Sequence, residues 1–167
     1  VNETGCICGS VRGVTETASG EAVRPALLWN DTRSAPQAEH IIAEFGAANL
    51  ADRTGSVPVA SFTSSKLAWV RQHEPQLAAK IAAVALPHDW LTWRLRGYGP
   101  KRDSRYGPQL EELVTDRSDA SGTGYFSPVT NSYDDQILDF VLGHRPVLPK
   151  VLGAGESAGK TENGWIV

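Results

Sequence analysis

The sequence predicts a fold of the α/β class, because segments with helical spacing of apolar residues alternate with short apolar runs of strand length. Proline and glycine residues separate these segments and mark where the helices begin and end. The 167 residues are 41% apolar and 21% charged, a composition that allows one domain with a sizeable core. The pattern alone does not give the order of the strands.

The first two predicted elements are strands that form a hairpin. Residues 7–14 read as a short strand, and a second strand passes through Val23 and residues 26–28. The Ser19-Gly20 pair supplies the turn between them.

Three helices follow, and each has a residue that marks one of its ends. Ser34 is the expected N-cap of the first helix, which Gly46 ends. A loop rich in Gly, Ser, Thr and Pro comes next, followed by a helix that carries Leu67 and Val70. This second helix stops before Pro75, where a third helix begins.

The second half of the chain continues the alternation. Residues 84–86 are predicted to be a buried strand, and Pro87 opens a helix that Gly97 ends. Residues 98–112 have no apolar period and are predicted to be an exposed insertion. Two short strands, at 114–115 and 125–126, then precede a helix that begins at a capping box, Ser132 to Asp135, and ends at Gly143.

Composition argues against several classes of partner. The net charge is -3 and no basic stripe is interleaved with aromatic residues, so we expect no nucleic-acid binding. No apolar run is long enough to span a bilayer, so we expect no membrane partner and a cytoplasmic location. Cys6 and Cys8 are too close together for a disulfide between them to cross-link distant parts of the fold, and no second Cys/His pair completes a zinc site.

One stretch matches the permissive form of a nucleotide-binding phosphate loop. Residues 154–161 read AGESAGKT, in which Lys160 and Thr161 would contact phosphate and magnesium. A working loop needs a strand before it and a helix after it, yet Pro149 interrupts the preceding segment and Gly164 follows closely. A Gly-rich turn is therefore the favoured interpretation, and nucleotide binding by Lys160 remains an alternative.

Two further segments carry groups that suit a polyol. Trp29, Asn30 and Asp31 follow a predicted strand, where α/β folds place ligand-facing side chains, although Asn30 and Asp31 also suit a simple Asx-turn. In the second segment, Asp116, Asp119 and Ser121 are candidate polyol ligands or parts of an ordinary strand connection. The four histidines are scattered and have no spacing that indicates a shared metal site.

Five stretches, in order, resemble successive elements of the FGGY carbohydrate kinase family, in particular its xylulokinases. The stretches are RPALLWNDTR, TGSVPVASFTSSKLAWVRQHEP, ALPHDWLTWRLRG, TDRSDASGTGYFSP and the final LP…VLG…AG. The resemblance covers residues 20–162 and implies part of the N-terminal domain of a ribonuclease H-like, actin-like ATPase fold. It also implies an enzyme that uses ATP and Mg2+ to convert a pentulose, D-xylulose, to its 5-phosphate.

The resemblance also nominates substrate contacts. Arg12 stands where xylulokinases have a sugar-contacting histidine, and Ser61 occupies a position that faces the polyol in related kinases. Together with the ligand candidates of the two polar segments, the substrate-binding set is Arg12, Trp29, Asp31, Ser61 and Asp119. The departure at Arg12 leaves open a kinase for another polyol or ketose.

The family's Asp-Gly-Thr hairpin, its catalytic Gly-Asp element and its ATP-binding second domain are not among these 167 residues. We therefore expect no catalytic residue in this chain and no sugar kinase activity from the chain alone. A non-catalytic remnant or binding domain is the alternative from another class. An unpaired sheet edge also predicts pairing with another chain, for example as a homodimer.

Overall fold

A computed structural model describes residues 14–161 and 163–167, and for residues 14–16 it describes only the backbone. Arg12 and nearly all of the strand predicted at 7–14 lie outside these residues. The strands are β1 Val14–Glu16, β2 Ala83–Ala85, β3 Val114–Asp116, β4 Phe126–Ser127, β5 Ser132–Tyr133 and β6 Lys150–Leu152. The helices are α1 Ala35–Phe45, α2 Ala47–Thr54, α3 Thr63–His73, α4 Pro75–Ala78, α5 Pro87–Leu95, α6 Arg117–Ser121 and α7 Asp135–Leu142.

The described strands pair two by two. β1 is antiparallel to β2, β3 is parallel to β6, and β4 is antiparallel to β5. The other edge of β2 pairs with Val147. The Val147 N–H donates to Ala82 O, and the Val147 carbonyl accepts from Val84 N. β2 therefore lies in the middle of a short ladder, which agrees with its complete burial.

The predicted second hairpin strand, through Val23 and residues 26–28, is not formed. The turn at Gly20 is present, but the segment after it has only single bridge positions at Ala22 and Leu28. Pro25 has no N–H to donate to a neighbouring strand. The Arg24 guanidinium instead forms an ion pair with the Glu74 carboxylate at 2.6 Å. β1 finds its partner in β2, about 70 residues along the chain.

The larger of two cores lies between β2 and helices α1, α3 and α7. These helices turn apolar residues spaced three or four apart toward one another, as amphipathic helices do. Their fully buried members include Ile41, Leu67, Ile137 and Val141. The predicted helices that end at Gly46, Pro75 and Gly143 are confirmed.

A smaller core fixes the loop that follows α5. Trp93 is fully buried among Ala83, Ala85, Leu110 and Leu113, and its Nε1–H donates to the carbonyl of Gln109 at 2.8 Å. Residues 101–103 and 105–106 are exposed, as the sequence indicated, whereas Leu110 is only 7% exposed. That 98–112 is an insertion stays a prediction.

Three details differ from the sequence-based expectations. The loop expected after Gly46 contains α2, which buries Leu50. Ser34 does not cap α1, because its hydroxyl donates to Ala60 O at 2.8 Å. Helix α7 is capped by Asp134 instead of Ser132, since the Asp134 carboxylate accepts from Ile137 N. None of the helices in the described ranges is long and apolar enough to cross a bilayer.

Candidate functional site

The main cleft lies where the parallel strands β3 and β6 end side by side. One wall is formed by β3 and the two residues that follow it, residues 114–118. The end of β6 with the loop after it, residues 152–156, and the N-terminal part of α5 form the others, around a volume of about 460 Å³. Open α/β sheets place ligands at the carboxyl ends of their strands, because the following loops and helix N-termini meet there. This cleft is therefore the leading candidate site in the described part of the chain.

His88 lies at one wall of the cleft and is oriented by a buried carboxylate. Its Nε2 is 2.8 Å from Asp89 Oδ1 and 3.1 Å from Asp119 Oδ2. The Asp89 side chain is 1% exposed, and its second oxygen accepts from Leu86 N at 2.7 Å. The close contact with Asp89 raises the pKa of His88 above its ordinary value; burial opposes the shift, and the charges of Asp89, Asp119 and Asp116 add to it.

Asp116 and Asp119 have pKa values that move in opposite directions. Asp116 Oδ1 accepts from the amides of Ser118 at 2.7 Å and Asp119 at 3.1 Å, which caps α6. Burial works to raise the pKa of Asp116, but these hydrogen bonds outweigh it and lower the pKa. Burial, together with the nearby Asp116 charge, raises the pKa of Asp119 despite the attraction of His88. The segment that was expected to hold polyol ligands or to form an ordinary strand connection is thus a short capped helix.

His88, Asp116 and Asp119 each offer a ligand atom, and these atoms lie within 4.8 Å of one another. Mg2+ prefers an octahedral set of oxygen ligands, whereas this set contains an imidazole and an Asp116 oxygen already shared by two amides. The cluster does not fit the Mg2+ that the resemblance implies, so no step of a reaction is assigned to a metal ion there.

A second candidate region is the Trp29 turn, residues 28–31, closed by a hydrogen bond from Asp31 N to Leu28 O. The Trp29 side chain is 51% exposed. The Asp31 carboxylate accepts from Arg33 N at 3.0 Å and pairs with the Arg33 guanidinium at 2.8 Å, and these contacts lower its pKa. The Asx-turn interpretation is therefore confirmed for Asp31, while Leu28, Trp29 and Asn30 are exposed.

Ser61 belongs to the same region. It is half-buried and follows Ala60, whose carbonyl accepts from Ser34 at the start of α1. Trp29, Asp31 and Ser61 are thus carried by segments tied to one another, while Asp119 contacts His88, a residue that lines the main cleft. Sequence reasoning missed His88 and Asp89; the signal available was their position directly after a buried strand and the helix-opening Pro87.

The AGESAGKT stretch forms a glycine-rich turn and a tight return of the chain. β6 is formed before it, although Pro149 made that strand doubtful. After it, Lys160 forms a bridge with Ile166, and Thr161 N donates to Trp165 O at 2.7 Å. Residues 163–167 contain no helix, so the described geometry is not that of a phosphate loop.

Comparison with known proteins gives consistent matches along nearly the whole chain. The family model described as FGGY family of carbohydrate kinases, N-terminal domain, matches residues 12–166. Xylulose kinases from Streptomyces coelicolor and Streptomyces rubiginosus are each 50% identical to the chain, over 152 and 147 residues. These matches cover 90% and 87% of this chain but 29% and 28% of the relatives, so the chain spans less than a third of their length.

A solved structure agrees with the sequence matches. The crystal structure of xylulose kinase from Bifidobacterium adolescentis superposes with a TM-score of 0.85 and is 38% identical, covering 92% of this chain and 36% of that one.

Proposed function

Because this chain belongs to the FGGY family of carbohydrate kinases, we propose that the protein is an ATP-dependent kinase whose acceptor is D-xylulose. Its α/β fold is part of the family's ribonuclease H-like, actin-like ATPase domain. The observation that carries the choice of acceptor is the 50% identity to a xylulose kinase over 152 residues.

The proposed reaction transfers the γ-phosphoryl group of ATP to a sugar hydroxyl. Such transfers depend mainly on positioning and charge stabilisation, with a carboxylate that accepts the hydroxyl proton. We assign no catalytic residue to this chain, and we propose that it contributes sugar contacts. Mg2+ would accompany ATP in the complete enzyme, held by groups other than the His88 cluster.

The proposed sugar contacts that lie within the described residues have different roles. Trp29 offers an exposed ring against which the C–H face of a sugar packs. Asp31 is a positioning residue, because its carboxylate is committed to Arg33. Ser61 supplies a hydroxyl next to Ala60, whose carbonyl accepts from Ser34, and Asp119 supplies a carboxylate that contacts His88 at the main cleft. Arg12 remains a proposed contact outside the described residues.

The acceptor is tested by a sugar panel with the full-length protein that contains this domain. ADP formation should be fastest with D-xylulose and slower with D-ribulose and glycerol. A clear preference for another sugar would favour the second candidate, a kinase for another polyol or ketose, which the Arg12 position supports. If none of these three sugars stimulates ADP formation from ATP, a kinase function would be contradicted and a binding domain favoured.

The Trp29 contact is tested by a matched pair of substitutions. Trp29→Ala should raise KM for D-xylulose about tenfold, which corresponds to a loss of about 1.4 kcal/mol of aromatic packing. Trp165→Ala removes another exposed tryptophan, 74% exposed and outside the Trp29 turn, and should leave KM unchanged. Equal effects of the two substitutions would contradict a direct sugar contact at Trp29.

The proposal also includes a cytoplasmic setting and a homodimer. Within the described residues the strands pair two by two, and Trp165 and Ile166 are each 74% exposed, which favours association. Sedimentation of the full-length protein would measure its oligomeric state, and a monomer at micromolar concentration would contradict the homodimer.

A further inference from the structure

A second pocket lies away from the main cleft and contains the end of the AGKT stretch. Arg96, Tyr98, Arg105 and Tyr106 form one wall and residues 159–161 the other, around a volume of about 330 Å³. Neither the Trp29 turn nor the His88 cluster contributes to it. The proposed kinase function therefore gives this pocket no role.

The first wall is held in place by its own hydrogen bonds. Tyr106 N donates to Gly97 O at 3.0 Å, and Gly99 N donates to Gly107 O at 3.1 Å, which closes the loop on itself. The Tyr98 ring stacks on the fully buried Trp93. Arg105 is thus carried by a loop whose base is fixed to the smaller core, so little ordering is needed when a ligand binds.

The second wall is fixed by the return of the chain after Lys160. Thr161 N donates to Trp165 O at 2.7 Å, and Val167 N donates to Gly159 O at 3.1 Å. Gly159 has φ +125°, and a Cβ there would lie 3.1 Å from Arg96 Nε. A glycine is therefore needed for the backbone to approach Arg96 and for Lys160 to line the pocket.

The charges in the pocket are not balanced. Arg96 is neutralised by Glu112, whose carboxylate lies 2.8 Å from it and whose carbonyl accepts at 2.6 Å. Among the residues that the structure describes, no carboxylate forms an ion pair with Arg105 or Lys160. Two positive charges thus remain, and they would balance the roughly two negative charges of a phosphate monoester near neutral pH.

The aromatic rings of the pocket already have partners near their faces. Tyr98 has Trp93 against its ring and the Arg96 guanidinium 5.1 Å from its centre. The Arg105 guanidinium lies 5.2 Å from the centre of the Tyr106 ring. Recognition of a phosphate group by cations is therefore favoured over recognition of a base.

We propose that this pocket binds the phosphate group of a small phosphorylated metabolite, with Lys160 and Arg105 as the direct contacts. The AGKT stretch then contacts phosphate through a side chain on a tight turn, and not through the amides of a phosphate loop. The volume beyond the phosphate leaves space for a sugar-sized group.

The test is a titration of the 167-residue chain, followed by NMR of backbone amides, with inorganic phosphate, D-ribose 5-phosphate and uncharged D-ribose. Both phosphates should shift the amides of residues 159–161 and of Arg105, and D-ribose should not. Tighter binding of D-ribose 5-phosphate would identify a sugar phosphate as the ligand, and equal affinities would identify free phosphate. No kinase assay is involved, so this result is independent of the proposed function.

Substitutions make the test specific. Lys160→Ala and Arg105→Ala should each weaken phosphate binding about tenfold, as expected for a lost charge-assisted contact. Both residues are exposed, so the fold is expected to be unaffected. The matched control Lys101→Ala removes an exposed charge from the same loop outside the pocket and should have no effect. The proposal is overturned by absence of phosphate binding, by equal shifts with D-ribose, or by an equal loss in Lys101→Ala.

Discussion

The Lys66 ammonium donates a hydrogen bond to the backbone carbonyl of Asp31, with 3.3 Å between the two atoms. Lys66 lies in α3 and is 4% exposed, so its charge is withdrawn from water and needs polar partners. The contact ties the Trp29 turn to a helix that packs in the larger core. Placement of the exposed Trp29 therefore depends on α3 as well as on its own segment.

Lys66→Met should loosen the Trp29 turn, because methionine fills similar space but cannot donate to Asp31 O. We expect faster amide hydrogen exchange at residues 28–34, measured by mass spectrometry, with little change in α7. Lys101→Met, at an exposed position, is the control. Unchanged exchange at 28–34 would show that the turn is held without Lys66.

Gly124→Ala should destabilise the fold more than an alanine at an uncrowded glycine. Gly124 has φ +78°, and a Cβ there would lie 2.5 Å from Ser64 Oγ and 2.9 Å from Phe62. Gly155 has φ +76° with no atom within 4 Å of its Cβ position. We expect losses in unfolding free energy of about 1 kcal/mol for Gly155→Ala and about 2–4 kcal/mol for Gly124→Ala. Urea denaturation measures both, and equal losses would contradict the crowding argument.

His88 should make the stability of the chain depend on pH. Its pKa is raised in the folded state, so protonated His88 stabilises the fold fully below its unfolded pKa of about 6.5. This contribution is lost as pH rises through the folded pKa. The difference in unfolding free energy between the chain and His88→Gln should therefore be larger at pH 5.5 than at pH 8.5.

The cause of that shift can be checked directly. An NMR titration should give His88 a pKa above the ordinary value, and Asp89→Asn should lower it, since the close contact with Asp89 is the largest contribution. A His88 pKa that Asp89→Asn leaves unaltered would assign the effect to Asp116 and Asp119 instead.

Asp116→Ala should destabilise the chain by about 0.5–2 kcal/mol, because α6 loses the carboxylate that caps it. Asp116→Asn keeps a capping oxygen and should be close to neutral. Thermal or urea unfolding separates the two variants. If both are equally destabilised, the charge of Asp116 matters more than the cap.

Local sequence signals were sufficient for most helices and insufficient for strand pairing. Pro87 fixes its own φ, and Gly46 and Gly143 adopt the positive φ that ends a helix, so these residues mark helix ends correctly without knowledge of the fold. Helix α2 was missed because its buried side chains are few, with Leu50 the only buried large apolar residue. The partner of β1 lies about 70 residues away, and no local pattern specifies it.

The candidate site shows the same limit. Trp29 and Asp31 were nominated because an aromatic and polar groups directly after a predicted strand are visible in sequence. The contact between His88 and Asp119 joins residues 31 positions apart, and it exists only because α5 and α6 both pack against β3. Lys160 was found as part of a motif, but its surroundings depend on a loop that starts at Arg96.

The alternation of side chains along β2 has a consequence for folding. Val84 belongs to the larger core, while Ala83 and Ala85, on the other face, belong to the smaller core around Trp93. One three-residue strand is therefore a shared wall, and neither core can come apart without exposing the strand that completes the other. The two cores should unfold in a single cooperative transition, with coincident loss of tryptophan fluorescence and helical circular dichroism.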